Sequence, residues 1–286
     1  MSRIDVRKTA KLYINGAFVR SESGRVYSVE HADGSAVVRV SQGSRKDLRD
    51  AVRGSRSAQT GWAERTGYNR GQILYRIAEI MEERRDTFVD RLLTGGMSDD
   101  AAEAELDASV DRLVWYAGWA DKFAQVFGNL NPVAGPFFNI SAPEPTGLVG
   151  VVLADASPLL GIVSRVAPII VSGNTAVVVV GGPRPLASIA LTEVLATADV
   201  PAGVVNIITG DAQELGPVLA NHMDVNALDI VGVEPTLAAA MTRDAAENVK
   251  RVTVEAEPQF MDEAAQSPYI IAKFVETKTV WHPKGV

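Results

Sequence analysis

The side chains that most often perform catalysis in proteins are sparse in this sequence. The chain has no cysteine and only three histidines, His31, His222 and His282, among 286 residues. Without cysteine there is no thiolate nucleophile, no disulfide and no thiolate ligand for zinc. The histidines are too far apart for a sequence-local metal site. The sequence therefore gives little support to chemistry based on a thiolate or a bound metal.

Oxygen-bearing side chains and glycines at the ends of apolar runs are the remaining candidates. Asp155 and Ser157 follow one run, and the pair Gly181 and Gly182 follows the next. Glu255 lies in the last run. If the runs are parallel strands, these residues share one edge of a sheet, where the glycines would let a ligand approach the backbone. Because no nucleophile lies beside a base in this set, new chemistry there is the weakest of the interpretations.

The composition is typical of a globular protein with one large domain or two unequal ones, since 47% of the residues are hydrophobic. The net charge of -7 and the lack of a basic tract argue against a nucleic-acid partner. The first residues contain no signal-peptide core, and no stretch of about 18 apolar residues could span a bilayer. We expect a cytoplasmic protein with no membrane partner and no metal.

Short strands are predicted near the start of the chain. Two segments alternate apolar and polar residues around Asn15-Gly16 and Asp33-Gly34, which are strong signals for tight turns. This pattern predicts paired short strands.

Several long helices are predicted between Ser44 and about Phe123, where the apolar spacing becomes helical. The acidic run after Ser98 is typical of a helix start, since carboxylates there lie near the positive end of the helix dipole. One predicted helix has an apolar face that consists of Ile73, Leu74, Ile77, Ile80 and Met81.

Five apolar runs alternate with helical segments in the second half of the chain. This alternation predicts a parallel sheet covered on both faces, the doubly wound, Rossmann-like α/β class. The dinucleotide fingerprint G-x-G-x-x-G does not occur in it, so the pattern alone predicts the fold and no ligand. The runs cover residues 148–154, 175–180, 204–209, 227–231 and 249–256.

The stretch between Gly128 and Pro145 is rich in proline, glycine and aromatic residues and has no helical period. We interpret it as a protruding β-arm. A surface loop is the alternative, and composition does not decide between the two.

Several blocks of the sequence resemble the aldehyde dehydrogenase family in order and spacing. They are YINGAFV, EPTGLVGVV, SGNTAVVVV, VPAGVVNIITGD and RVTVEAE, within residues 11–258. VPAGVVNIITGD, with the preceding GNT block, is the most specific of them. The resemblance implies an NAD-binding domain of the Rossmann type with an N-terminal helical layer.

The resemblance also implies that a large segment is missing. In the family, the element similar to RVTVEAE leads into the catalytic domain, whereas this chain passes through QFMDEAAQSP to YIIAKFVETKTVWHP, which resembles the family's C-terminal strand. The expected organisation is a cofactor-binding domain of residues 1–128 and 147–260 and an oligomerisation arm of residues 129–146 and 268–286. The catalytic domain would be missing between about 259 and 267.

The resemblance assigns the family's catalytic positions to residues that do not support the reaction. Aldehyde oxidation there needs a cysteine thiolate, a polar side chain for the oxyanion, a carboxylate and a bound nicotinamide. The oxyanion-holding asparagine corresponds to Ala156, and the tryptophan of the substrate-side motif corresponds to Asp155. Glu255 matches the catalytic glutamate, but without a cysteine there is no acyl-enzyme for a general base to hydrolyse.

The positions that hold the adenosine ribose in the family are also changed. Its lysine and glutamate correspond to Val179 and Gly182. Valine cannot donate a hydrogen bond to a ribose hydroxyl, and glycine has no side chain that could accept one.

A second, phosphate-facing turn keeps Gly232 but has Val233 in place of the family's serine and Leu237 in place of a glycine. Glu234 adds a carboxylate that would repel a pyrophosphate, although the backbone N–H groups of the following helix could still bind an anion. We expect no cofactor, or at most weak NAD(P) binding.

The expected function is that of a truncated pseudoenzyme that joins, and stabilises or regulates, a full-length aldehyde dehydrogenase through its arm. A homodimer through the same arm is the alternative assembly. A nucleotide or metabolite sensor that uses the crevice at the strand ends is the alternative function.

Overall fold

The computed structural model describes residues 8–30, 34, 37–153 and 158–285. Within them the strands are β1 (Thr9–Ala10), β2 (Leu12–Ile14), β3 (Ala17–Val19), β4 (Val26–Glu30), β5 (Val37–Ser41), β6 (Asn129–Asn131), β7 (Phe137–Pro145), β8 (Leu148–Leu153), β9 (Thr175–Val180), β10 (Val205–Thr209), β11 (Ala227–Asp229), β12 (Arg251–Thr253) and β13 (Val275–Pro283). The helices are α1 (Arg45–Ala63), α2 (Gly67–Glu83), α3 (Arg85–Thr94), α4 (Asp99–Trp119), α5 (Phe123–Phe127), α6 (Leu160–Val171), α7 (Leu186–Leu195), α8 (Ala212–Asn221), α9 (Pro235–Ala245) and α10 (Tyr269–Ala272).

A central sheet of seven strands has the order β12-β11-β8-β9-β10-β2-β3, and its first five strands are parallel. Helices α6 to α9 connect these five strands in turn. The predicted doubly wound α/β class is therefore confirmed. The continuous valine run of β9 fits this position because helices cover both faces of the strand: Val178 packs into one apolar core and Val179 into the other.

The N-terminal strands are only partly as predicted. Strands β2 and β3 form a hairpin with φ angles of 51° at Asn15 and 75° at Gly16, as the turn signal indicates. The sequence did not predict that β2 also pairs antiparallel with β10, through Tyr13 and Ile207, and so extends the main sheet. Strands β1, β5 and β4 form a separate small sheet, and the second predicted turn includes Asp33, which lies outside the described residues.

The helical layer covers one face of the sheet. All five residues of the predicted apolar face of α2 are at most 4% exposed, which confirms that face. Helices α2 and α4 cross closely, because an ideal Cβ at Gly71 would lie 3.0 Å from the carbonyl oxygen of Ala117. Helix α4 starts at the acidic run, as predicted, and Ser98 caps it by accepting a hydrogen bond from the backbone of Ala101 at 3.4 Å.

The predicted arm is present as a three-stranded antiparallel sheet of order β13-β7-β6, which we call the β-arm. The long ladder runs from the pair Val275 and Pro145 to the pair Pro283 and Phe137. The C-terminal part differs from the prediction, because the residues just after 268 form the short helix α10 and the strand begins only at Val275. Ile271 is 0% exposed, so packing against the core outweighs the strand preference of this segment.

A buried asparagine joins the β-arm to the central sheet. Asn174 is 0% exposed, and its Oδ1 accepts a hydrogen bond from the backbone of Gly147 at 2.7 Å. Its Nδ2 donates to the Ser172 hydroxyl at 2.8 Å and to the Phe274 carbonyl at 2.7 Å. One amide therefore fixes the start of β8, the turn before β9 and the residue that precedes β13.

We expect Asn174→Ala to lower the free energy of unfolding by about 2 kcal/mol, because the buried N–H of Gly147 loses its acceptor. The control is Asn221→Ala, which removes an exposed side chain bonded to Pro217 and Asp244, and should cost about 0.5 kcal/mol or less. Urea denaturation followed by circular dichroism measures both. Equal losses for the two variants would contradict the role assigned to Asn174.

Candidate functional site: the carboxyl edge of the parallel sheet

Ligands of doubly wound folds bind at the carboxyl edge of the sheet, where the strand order reverses. In this chain the order reverses between β8 and β11, since the chain passes from β8 outward through β9 and β10 and then returns to the other side of β8. The residues that follow β8, β11 and β12 therefore surround the point at which a ligand would be expected.

Three of the predicted site residues lie just after β8, and the structure does not describe them. Asp155, Ala156 and Ser157 fall outside the described residues. Ala156 as the replacement for an oxyanion-holding asparagine stays a prediction from the sequence.

Glu255, the residue matched to the family's general base, lies beyond the end of β12 in an ion pair. Both of its carboxylate oxygens lie 2.6 Å from the Nζ of Lys273. Its backbone carbonyl accepts a hydrogen bond from Gly232 at 3.0 Å, so the structure brings these two predicted residues together through the backbone. No sequence pattern indicated Lys273, because its position depends on the turn of α10. In this arrangement the carboxylate is paired with an ammonium group while its side chain stays 55% exposed.

The start of α9 is occupied by the protein's own carboxylate. Glu234 accepts hydrogen bonds from the backbone N–H groups of Thr236 at 2.9 Å and Leu237 at 3.0 Å. These bonds lower the pKa of Glu234, with the bond from Thr236 as the largest cause. From the sequence, the backbone N–H groups at this helix start could still bind an anion. In the structure two of them, those of Thr236 and Leu237, already donate to the Glu234 carboxylate. Val233, just before it, is half-buried and carries no hydrogen-bonding side chain.

The positions matched to the ribose contacts offer no polar side chain. Val179 is 0% exposed and packs in the core beneath α8 and α1. Gly182 is exposed in the turn after β9 with a φ of 82°. Leu237 is buried, and its Cδ1 lies 3.8 Å from where a Cβ on Gly216 would be, so α8 and α9 are in close contact there.

A buried ion pair lies next to the end of β11. The Arg165 Nε donates to Asp229 Oδ2 at 2.7 Å, and its Nη1 donates to the carbonyl of Val231 at 2.9 Å. Both side chains of the pair are about 95% buried, at 5% and 4% exposure. The sequence analysis missed this pair because its partners are far apart in the chain.

Residues 256–274, which we call the cap, fold back over this part of the edge. Phe260 and Ala265 of the cap face Arg165 and Asp229 across a cavity of about 50 Å³. Pockets for small molecules and cofactors usually measure about 300–1,000 Å³. The cavity under the cap is therefore too small for a dinucleotide.

Within the described part of the chain, no group of three or more His, Cys, Asp or Glu side chains is placed so that it could bind a metal ion.

The geometry can be compared with known proteins. A model of the aldehyde dehydrogenase family matches residues 18–276. The chain belongs to the aldehyde dehydrogenase family. This confirms the resemblance that the sequence blocks carry.

Individual aldehyde dehydrogenases match over most of this chain. Retinal dehydrogenase 2 of Gallus gallus is 31% identical over 256 residues, which cover 87% of this chain and 48% of the relative. A solved aldehyde dehydrogenase structure from Bacillus cereus is 28% identical with a TM-score of 0.82, over 87% of this chain and 51% of that one. A betaine aldehyde dehydrogenase from Staphylococcus aureus, in complex with NAD+, shares the fold with a TM-score of 0.81 at 24% identity, over 86% of this chain and 50% of that one.

The chain spans about half the length of the relatives it matches. The family's NAD-binding fold is retained, whereas the side chains at its carboxyl edge form contacts with one another. In this family member the edge is thus held together by Glu234, by the pair Glu255–Lys273 and by the cap.

The capping role of Glu234 predicts a pH-dependent effect of Glu234→Ala. Because the folded-state pKa is lowered, the carboxylate stabilises the protein above its unfolded pKa of about 4.3, and this contribution is lost as the pH falls through the folded-state value. We expect the variant to melt at a lower temperature than the parent at neutral pH, with a smaller difference below about pH 4. Differential scanning calorimetry at both pH values measures this.

The control for this prediction is Glu83→Ala, which changes an exposed glutamate of α2. Its melting temperature should follow that of the parent at both pH values. An equal deficit of Glu234→Ala at both pH values would show that the ionised carboxylate does not cap α9.

Proposed function

We propose that this chain is a non-catalytic aldehyde dehydrogenase family subunit that assembles through its β-arm with a full-length aldehyde dehydrogenase and stabilises or regulates it. A homodimer through the same arm is the alternative assembly. The observation that carries the proposal is the β-arm itself. It is a three-stranded antiparallel sheet, and within the described residues the large apolar side chains on one of its faces are exposed.

The two faces of the β-arm differ in their apolar content, although Trp281, which is 57% exposed, lies on the more polar face. On one face Asn131 donates a hydrogen bond to Ser141 at 2.8 Å, and the Ser141 and Thr279 hydroxyls lie 2.8 Å apart, so the polar groups pair with one another. The other face has large apolar side chains that are between 44% and 63% exposed: Leu130, Phe138, Ile140 and Val280. An apolar face of this kind on a small sheet is typical of a protein interface.

The outer edge of the β-arm is suited to strand addition. Within the described residues β13 pairs only with β7, so its other side presents free N–H and C=O groups. A neighbouring chain could pair with this edge by β-augmentation while covering the apolar face. Lys278, which pairs with Glu144 at 2.9 Å, adds a charge that disfavours unspecific pairing.

A full-length aldehyde dehydrogenase is the partner that the family relationship favours. The resemblance implies that the arm of one family subunit crosses to the next subunit. In this chain β12 is joined to β13 by the cap, at the place where the resemblance implies that the family has its catalytic domain. A full-length subunit would supply the surface that this chain does not have. Sensing of a nucleotide is less favoured, because Glu234 and the cap occupy the carboxyl edge.

The absence of catalysis by this chain rests on its chemistry. No cysteine is available as a nucleophile, and the one retained carboxylate, Glu255, is paired with Lys273. No helix of the described residues is long and apolar enough to cross a membrane. A cytoplasmic location stays a prediction.

We expect the purified chain to form no NADH or NADPH when it is mixed with aldehydes and NAD+ or NADP+, because the thiolate that would attack the carbonyl is absent. Absorbance at the reduced nicotinamide band measures this, with a full-length aldehyde dehydrogenase as the positive control. Turnover that persists after separate purification from a second host would contradict the non-catalytic role.

We expect native mass spectrometry of the chain mixed with the full-length aldehyde dehydrogenases of its own cell to show a mixed complex. Ile140→Asp and Val280→Asp should abolish it, because a charge on the apolar face of the β-arm cannot be buried in an interface without a partner. Met223→Asp, at a residue that is 71% exposed before β11, is the matched control and should leave the complex intact.

A parent chain that stays monomeric or pairs only with itself would contradict assembly with a full-length enzyme. A mixed complex that survives Ile140→Asp and Val280→Asp would contradict assembly through the β-arm.

A further inference from the structure

Arg112 of α4 forms the main polar connection between the cap and the helical layer. Its Nη2 donates to the carbonyl of Phe260 at 2.7 Å, and its Nη1 donates to the carbonyl of Ala265 at 3.0 Å. Its Nε donates to the side-chain oxygen of Gln266 at 3.3 Å, and Nη1 also donates to the Ser164 hydroxyl at 2.6 Å. Three of these four acceptors belong to the cap.

Burial of this guanidinium depends on the cap. Arg112 is 3% exposed, and burial lowers its pKa, with the nearby Tyr116 as a smaller opposing influence. None of its hydrogen-bond acceptors in the described structure is a carboxylate. A buried cation is tolerated only where its donors are satisfied, so the cap supplies most of what keeps Arg112 inside.

The two ends of the cap are fixed independently of Arg112. The first end follows directly on β12 of the central sheet, and Glu255 just before the cap pairs with Lys273 near its last residue, so the two ends are also tied to each other. At the other end Ile271 and Phe274 belong to the main apolar core, and the Phe274 carbonyl is bound by Asn174. The middle, residues 258–267, therefore lies between two anchored ends.

The polar contacts that hold the middle of the cap come mainly from Arg112, beside the packing of the buried side chains of Phe260 and Ala265. The backbone bonds of this segment are internal, such as those from Asp262 to Gln259 at 2.9 Å and from Ala265 to Asp262 at 3.0 Å. Within the part of the chain that the structure describes, the other polar contact from residues 258–267 to the body of the protein is the Tyr116 hydroxyl, 3.5 Å from the Ser267 carbonyl. A segment whose backbone bonds are internal and whose polar connections to the body come from two side chains has the features of a unit that opens on its own.

We propose that Arg112 is a latch: its release lets residues 258–267 swing away as a unit and exposes the Arg165–Asp229 pair while the central sheet stays folded. When the latch opens, the guanidinium exchanges the cap acceptors for water, so opening leaves no buried charge without partners. A ligand or a partner segment reaches the ends of β11 and β12 only in the open state.

The test uses the fact that the chain contains no cysteine, so a single introduced thiol reports on one position. Ala265→Cys places a thiol under the cap at a residue that is 7% exposed. We expect this thiol to react with a maleimide about tenfold faster when Arg112→Met is added, because the latch is then removed.

Two reporters control for general effects. Met261→Cys, at a cap residue that is 58% exposed, should react rapidly with or without Arg112→Met. Ala176→Cys, in the 0% exposed middle of β9, should stay protected in both backgrounds. Gln266→Ala, which removes a single cap acceptor, should accelerate the reaction of Ala265→Cys by a smaller factor and replaces Arg112→Met if that variant does not fold.

The proposal fails if Ala265→Cys reacts as fast as Met261→Cys while Arg112 is present, because the cap would then not be closed. It also fails if Arg112→Met, or Gln266→Ala, accelerates Ala176→Cys and Ala265→Cys equally, because Arg112 would then stabilise the whole fold rather than latch the cap.

Discussion

Burial of the parallel strands β8 to β11 on both faces is the constraint on which the rest of this structure depends. Parallel strands expose no face to water, so helices must cover each side and the strands must be apolar throughout. Helices α2, α4, α6 and α7 cover one side, and α1, α8 and α9 cover the other. At the end of α1 the Trp62 Nε1 donates a hydrogen bond to the Ile170 carbonyl of α6 at 2.9 Å. The same arrangement places every loop after a strand at one edge, where the family's chemistry would be located.

In this chain the carboxyl edge has become part of the structural framework. Glu234 binds the start of its own helix, Glu255 binds Lys273, and Arg112 binds the cap. Each of these groups would otherwise present a charge to a ligand. These internal contacts support the proposal that the family fold serves assembly in this chain.

Local sequence signals predicted the elements that depend on local chemistry. The valine run of β9 was located at its observed residues because a strand buried on both faces has no polar position, and Asn15-Gly16 located a hairpin because both residues take positive φ. The family resemblance assigned Glu255 and Val179 to site positions, which local patterns could not do, and both assignments stay predictions.

Contacts between distant residues were not predictable in the same way. Arg112 and Phe260 are 148 positions apart, and nothing in either neighbourhood indicates that they meet. The helix α10 shows the same limit, because Tyr269–Ala272 has a strand-like composition and becomes helical through the packing of Ile271 into the core. The pairing of β2 with β10 also depends on tertiary structure, since a hairpin has two edges and its sequence does not select the partner.

We propose that the chain keeps the family's nucleotide-binding fold without its nucleotide-binding function. Isothermal titration calorimetry of the purified chain with NAD+ tests it most directly, with a full-length aldehyde dehydrogenase titrated under the same conditions. We expect no saturable heat of binding, so that any dissociation constant would be weaker than about 1 mM. That limit corresponds to a binding free energy of only about -4 kcal/mol. Saturable binding in the micromolar range would contradict the proposal.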